Sequence, residues 1–272
     1  MTASRLGFPV ALGAALVYLL APPAWQAVTS LKPQDQLAFL PPLLPQPPTL
    51  EHYRAVFEGR PFGRYILNSA VVAAGTTALA MLLGAPAAYA LARLQLPGAG
   101  LMLFVFLAVS MVPPVAILSP LYLAVRALGL RDTWWGLILA DTVFVLPLAI
   151  WILATFFAEL PRDLERAARV DGATAFQAFV RIALPVAAPG VAASAILAFI
   201  FAWNEFLFAL VFTSSSSAQT VPVGIALFPG LNEVPWGQLA AASLIASAPV
   251  LVLVLVFQRR IVQGITAGAV KG

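Results

Sequence analysis

The sequence predicts an all-α, polytopic membrane protein, and two observations carry that prediction. Of its 272 residues 61% are hydrophobic and only 10% are charged, whereas a soluble domain carries about 25% charged residues. The excess apolar surface needs a solvent other than water, and the same composition excludes disorder. In addition, six apolar windows each reach the roughly 20 residues that a helix needs to cross a bilayer.

Taken in order, the windows run over residues 6–28, 66–91, 101–123, 133–157, 190–212 and 236–257. With Arg5 ahead of it, the first could also be read as a cleaved signal peptide. Its apolar run is longer than a usual signal core, however, and Trp25 and Gln26 stand where small residues would be expected at a cleavage site. Prolines 113, 114, 120, 147 and 249 fall inside windows and introduce kinks.

The charges act as topology markers. With the N-terminus inside, Arg5, Arg93, Arg162, Arg166, Arg169, Arg181, Arg259, Arg260 and Lys271 fall on the cytoplasmic side, and Lys32, Arg54, Arg60, Arg64, Arg126 and Arg131 fall outside. The fourth-to-fifth connection holds four arginines and the fifth-to-sixth holds no basic residue, so both termini are expected in the cytoplasm. A formal charge of +4 spread over so much apolar sequence makes no nucleic-acid-binding patch.

Several chemistries are excluded. There is no cysteine, so disulfides, thiol nucleophiles and zinc ribbons are absent. The lone histidine, His52, cannot build a multi-histidine metal site and is expected as a solvated loop residue. The two lysines, Lys32 and Lys271, follow Leu31 and Val270, so the chain has no Gly-Lys-Ser/Thr phosphate loop. No catalytic, cofactor or metal residue is assigned, and the chain is not expected to be an enzyme.

Three connections are long. Residues 29–64 are proline-rich and should form an extended outer segment with a short helix around 50–57. Residues 213–235 open on Ser214, Ser215, Ser216 and Ser217 and read as a mobile outer loop. Residues 159–189 are too polar to span and too rich in helix formers for a linker, and they predict a helix-turn-helix. Pro161 suits the first helical position, Leu164, Ala167, Ala168 and Asp171 follow at helical spacing, and Gly172 supplies a left-handed stop. Thr174 with Gln177 three residues on is a capping box, Phe176, Phe179 and Val180 form an apolar stripe, and Leu184-Pro185 should break the helix.

At these residues the chain resembles a known family. Ala167-Ala168, Asp171-Gly172, then Ile182, Leu184 and Pro185 resemble the Glu-Ala-Ala loop of permease subunits of bacterial ATP-binding-cassette importers. Asn68-Ser69, Trp203-Asn204-Glu205-Phe206 and the tail 263–272 extend the likeness to the carbohydrate branch, of the maltose and glycerol-phosphate type, and to its smaller six-span subunit. One departure is clear: Arg166 stands where the family pattern has a glutamate, with Glu165 one step earlier and about 100° around the helix. If that glutamate pairs with a basic residue of the ATPase, this chain must use Glu165 or Asp171, or meet an acidic partner residue.

Asp141 in the fourth window and Asn204-Glu205 in the fifth are costly in a membrane unless paired or wet. They could line a sugar path with Trp203 and Phe208, or they could make hydrogen bonds that position the fifth span.

The resemblance implies the type I importer permease fold: six transmembrane helices and a cytoplasmic coupling loop in the cell inner membrane. It implies half of a translocation pore, completed by a sister permease in a heterodimer. Two nucleotide-binding ATPase subunits would hold ATP and Mg, none of it bound by this chain, and an extracytoplasmic sugar-binding protein would deliver substrate. Coupling to the ATPase falls on Glu165, Arg166, Ala167, Ala168, Asp171, Gly172 and Phe176, and contact with the binding protein on the serine loop. The alternative is a proton-coupled secondary transporter using Asp141 or Glu205.

Overall fold

The computed structural model describes residues 3–37, 42–229 and 234–267, with side chains over 8–37, 42–229 and 234–258. The topology marks Arg5, Arg259, Arg260 and Lys271, and the tail residues 263–272 used in the resemblance, therefore lie outside the described residues or side chains. Among the described residues the structure is helical and contains no strand.

The helices are α1 (Ala3–Ser30), α2 (Glu51–Glu58), α3 (Phe62–Arg93), α4 (Ala99–Ser110), α5 (Leu118–Ala127), α6 (Trp134–Glu159), α7 (Arg162–Val170), α8 (Ala175–Ala178), α9 (Leu184–Val186), α10 (Ala188–Asn204), α11 (Leu207–Phe212), α12 (Val221–Ala226) and α13 (Trp236–Ala267). Among the described residues four stretches are single helices long and apolar enough to span a bilayer: Phe8–Ser30, Phe62–Arg93, Trp134–Glu159 and Trp236–Gln258. Two further candidates are bent pairs, 99–110 with 114–127 at 92° and 175–186 with 188–204 at 79°.

Two windows expected as single helices are thus broken. Over 101–123 the chain leaves the helix at Met111 because Pro113 and Pro114 remove two successive N–H donors, and Pro113 adopts an extended ψ of 129°. Over 190–212 the break falls at Glu205 and Phe206, where Glu205 is extended with ψ 129°. Pro86, Pro147 and Pro249, by contrast, are absorbed inside long helices.

The chain forms two compact units, Met1–Gly63 with Gly224–Pro249, and Arg64–Val223 with Val250–Gly272. In the first, α1 presents Phe8, Val10, Val17, Tyr18, Leu19 and Leu20 as exposed apolar side chains, the composition of a lipid-facing helix. His52 is not the solvated loop residue expected from its polar neighbours: it lies buried on α2, with Nε2 2.7 Å from the carbonyl of Lys32. Lys32 is also buried, its ammonium 4.2 Å from the centroid of the Trp25 ring. Arg60 donates to the Leu227 carbonyl at 2.6 Å and lies over the Phe228 ring, which meets Phe62 edge-on.

In the second unit α6 is the central helix, with thirteen of its residues buried. Its close approach to α10 depends on Gly190, where an added Cβ would come within 2.3 Å of the Phe156 ring. At one end of this unit Tyr89, Phe157 and Phe179 join Ala85, Ala88, Leu153, Ala154 and Ala183 in one core. At the other end Val72, Leu137 and Ile138 pack with Phe208 and Phe212.

Candidate functional site

The helix-turn-helix over 159–189 is built as its local chemistry dictates. α7 begins after Pro161, one residue later than expected, a difference within the ordinary spread of helix ends. It ends at Val170 with Asp171 as its C-cap, and Gly172 takes φ +84°, the left-handed conformation that glycine adopts without steric cost. The capping box is complete: Thr174 Oγ1 accepts from the Gln177 amide at 3.2 Å, and Gln177 Oε1 accepts from the Thr174 amide at 2.9 Å. The expected break at Leu184-Pro185 does not occur. Residues 179–183 instead form a π-helical turn, the wider turn makes room for Pro185, and the sharp bend falls at Ala187.

Two anchors hold this motif to the rest of its unit. Phe179 and Ala183 enter the core beside Tyr89 and Phe157, with ring centroids 5.0 Å apart for Tyr89–Phe179 and 5.7 Å for Tyr89–Phe157. The second anchor is ionic. Arg93 Nε donates to Glu165 at 2.9 Å, with the two side chains only 3% and 13% exposed, and Arg93 Nη1 donates to the Leu160 carbonyl at 2.9 Å. A sequence reading takes Arg93 only as a topology mark; its position in the last turn of a spanning helix was the available signal.

The remaining candidates for coupling face outward. Ala167, Asp171, Gly172 and Phe176 are exposed, Phe176 at 71%, and of these candidates Ala168 alone is buried; Val170, not a candidate in the sequence, is 87% exposed beside them. Arg166 meets Asp163 at 3.3 Å in a pair open to solvent. Of the alternatives weighed for the ATPase contact, Glu165 is therefore committed to Arg93, Asp171 is exposed, and Arg166 is held only in its solvent-open pair with Asp163.

The polar and aromatic residues of the spans are placed differently. Asp141 is buried, its Oδ1 without a hydrogen-bond partner among the described residues. Trp203 is buried and stacked on Phe199, with centroids 5.8 Å apart, and Phe208 packs in the core with Phe144 and Phe212. Glu205 accepts from the amides of Phe208 and Ala209 at 2.8 and 3.0 Å and so caps α11. Asn204, exposed, returns its amide to the Ile200 carbonyl at 2.7 Å. Of these five residues only Asn204 and, in part, Glu205 reach the surface formed by the described residues.

The serine loop is not free, contrary to its composition. Asp132 accepts from the amides of Ser214 and Ser215 at 2.8 and 3.1 Å and from the Ser215 hydroxyl at 2.6 Å. Burial alone would push the Asp132 carboxyl up, but the hydrogen bonds from Ser215 and Ser214 outweigh it and hold the carboxyl below its ordinary range. Asn68 bridges the loop from the other side, donating to the carbonyls of Ser216 and Gln219 and accepting from Trp134 Nε1 at 3.0 Å. Ser69 accepts from the Val221 amide at 2.8 Å. Ser214, Ser216 and Ser217 nevertheless stay exposed at the tip.

Comparison with known proteins agrees with this architecture. Residues 80–267 match the family described as the binding-protein-dependent transport system inner membrane component. The trehalose transport system permease protein SugB of Mycobacterium tuberculosis is 47% identical over 94% of this chain and 93% of its own length. The sulfoquinovosyl glycerol transport system permease protein SmoH of Agrobacterium fabrum is 44% identical over 94% of this chain and 90% of its own. A solved bacterial ABC transporter that imports the acidic polysaccharide alginate shares the fold, with a TM-score of 0.82 at 20% identity over 95% of this chain and 98% of that one. The chain therefore belongs to the family of inner membrane permease components of binding-protein-dependent ABC transport systems, the non-enzymatic membrane part whose ATPase is a separate subunit.

Proposed function

We propose that this permease forms half of the translocation pore of an ATP-driven sugar importer. It pairs with a sister permease as a heterodimer and works with two nucleotide-binding subunits, which hold ATP and Mg, and with an extracytoplasmic sugar-binding protein. Both termini lie in the cytoplasm, the 159–189 motif faces the nucleotide-binding subunits, and the 213–235 connection faces outward. The family, and relatives named for trehalose and sulfoquinovosyl glycerol transport, support the importer and the substrate class. They leave the proton-carrier alternative on Asp141 or Glu205 without support.

The observation that carries the coupling role is the division of faces in the 162–186 motif. Its inner face is locked by Arg93–Glu165 and by Phe179 against Tyr89 and Phe157, while Val170 and Phe176 project outward. A body anchored in this way moves as a rigid unit with the ends of α3 and α6. ATP-driven closure of the paired ATPases then turns the cavity outward to receive substrate, and hydrolysis reverses the motion. Ser214, Ser216 and Ser217, held in place by Asp132 and Asn68, meet the binding protein.

Uptake of radiolabelled sugars by cells lacking only this subunit tests the assignment. Loss of ATP-dependent uptake of one sugar, restored by the wild-type chain, is expected; undiminished uptake of every sugar bound by the cognate binding protein contradicts it.

A further inference from the structure

Beside α7 lies a groove of about 220 Å³ lined by Arg93, Arg162, Glu165, Arg166 and Arg169. Its charges do not balance. Glu165 is the one carboxylate among these residues, and the buried Arg93 guanidinium already holds it at 2.9 Å. Arg162 and Arg169 have no ion pair among the described residues, and Arg166 meets Asp163 only in a pair 72% and 90% exposed. Such a surface pair contributes little and can be exchanged for a better one.

We propose that this groove receives carboxylates of the nucleotide-binding subunit, so that the coupling contact is made by guanidinium on the permease and by Asp or Glu on the ATPase. The proposal rests on the coupling role given to the 159–189 motif and adds the chemistry of the partner's surface. Guanidinium groups bind carboxylates through paired, charge-assisted hydrogen bonds. The exposed side chains of Val170 and Phe176 stand on the same motif and supply the apolar anchors that a protein interface adds to such a rim. A protein partner suits the motif better than an anionic lipid surface, because Asp163 and Asp171 are exposed on the same motif and would be repelled by headgroups.

The test uses the complete transporter purified through this subunit. Arg166→Lys and Arg169→Lys keep the charge and introduce a primary amine. A water-soluble carbodiimide activates a nearby carboxylate, the amine displaces the leaving urea, and an amide joins the two chains. Mass spectrometry should place that amide on an Asp or Glu of the ATPase, and Arg166→Ala should lose the link made at that position. The double substitution Arg162→Glu with Arg166→Glu should lower co-purified ATPase about tenfold while leaving membrane insertion unchanged.

Three results would overturn the assignment. Links confined to this chain's own Asp163, with the ATPase still present, would refute the acidic docking surface and leave the coupling role intact. An unchanged yield of ATPase with the double substitution, but lost binding to phosphatidylglycerol vesicles, would make the groove a lipid site instead. Absence of any ATPase in the wild-type preparation would overturn both the proposal and the coupling role beneath it.

Discussion

Arg93, the last residue of α3, and Glu165, in the middle of α7, form an ion pair at 2.9 Å that is almost fully withdrawn from water although 72 positions separate them. It ties a spanning helix to the motif for which the coupling role is proposed. Removing one partner from a buried pair leaves an uncompensated charge and costs about 3–5 kcal/mol. Glu165→Gln and Arg93→Met should each lower the stability of the purified subunit by an amount of that order, and the two effects should be strongly non-additive. A double-mutant cycle on thermal unfolding checks this; additive losses would mean that the pair carries no coupling energy.

Gly172 at φ +84° has open space around it, so substitution there is opposed by the backbone and not by a clash. The left-handed conformation costs a residue with a Cβ about 1–2 kcal/mol, and a β-branched one more. Gly172→Val should therefore insert normally yet transport poorly, with Gly172→Ala intermediate. Transport per inserted molecule, measured beside ATPase co-purification, checks the order; wild-type transport by the valine variant would mark the segment as a passive linker.

Asp132 anchors the serine loop through three hydrogen bonds, each of the charge-assisted kind that contributes about 1.5–3 kcal/mol when well sheltered. Its carboxyl is depressed in the folded chain, so its stabilisation is complete above the ordinary aspartate range near pH 4 and is lost as pH falls through the lower, folded value. Asp132→Ala should speed amide exchange over 213–220 at pH 7 by at least about tenfold. Asp132→Asn, which keeps one acceptor and tolerates the φ of +59° at this position, should be milder. The wild-type protection factor, the observed exchange rate referred to the intrinsic rate at each pH, should change little between pH 7 and pH 5.

Much of this was legible in the sequence. α1, α3, α6 and α13 follow from uninterrupted apolar composition, and the turn at Gly172 and the capping box at Thr174 follow from short-range rules. The breaks were less visible because a hydropathy window averages over them: Pro113-Pro114 ends α4 outright, and Glu205 starts a new helix by capping amides three and four residues ahead. The serine loop looked free because its tethers, Asp132 and Asn68, come from about 80 and 150 positions away. The same distance hid the commitment of Glu165 to Arg93, which a helical wheel of α7 alone cannot show.

Topology is tested by single cysteines in a chain that has none of its own. A cysteine replacing the exposed Ser216 should react with a membrane-impermeant maleimide in intact cells, and one replacing the half-buried Ala173 should react only after the membrane is opened. The opposite pattern would invert the orientation.

The central claim, that this subunit is part of the pore and a partner subunit is the engine, is tested most directly by purifying the chain from its native membrane and assaying what accompanies it. The account predicts that a nucleotide-binding subunit co-purifies and hydrolyses ATP, and that the chain stripped of that subunit hydrolyses none. Substrate accumulation by the stripped chain in liposomes, driven by a proton gradient with no ATPase present, would contradict it.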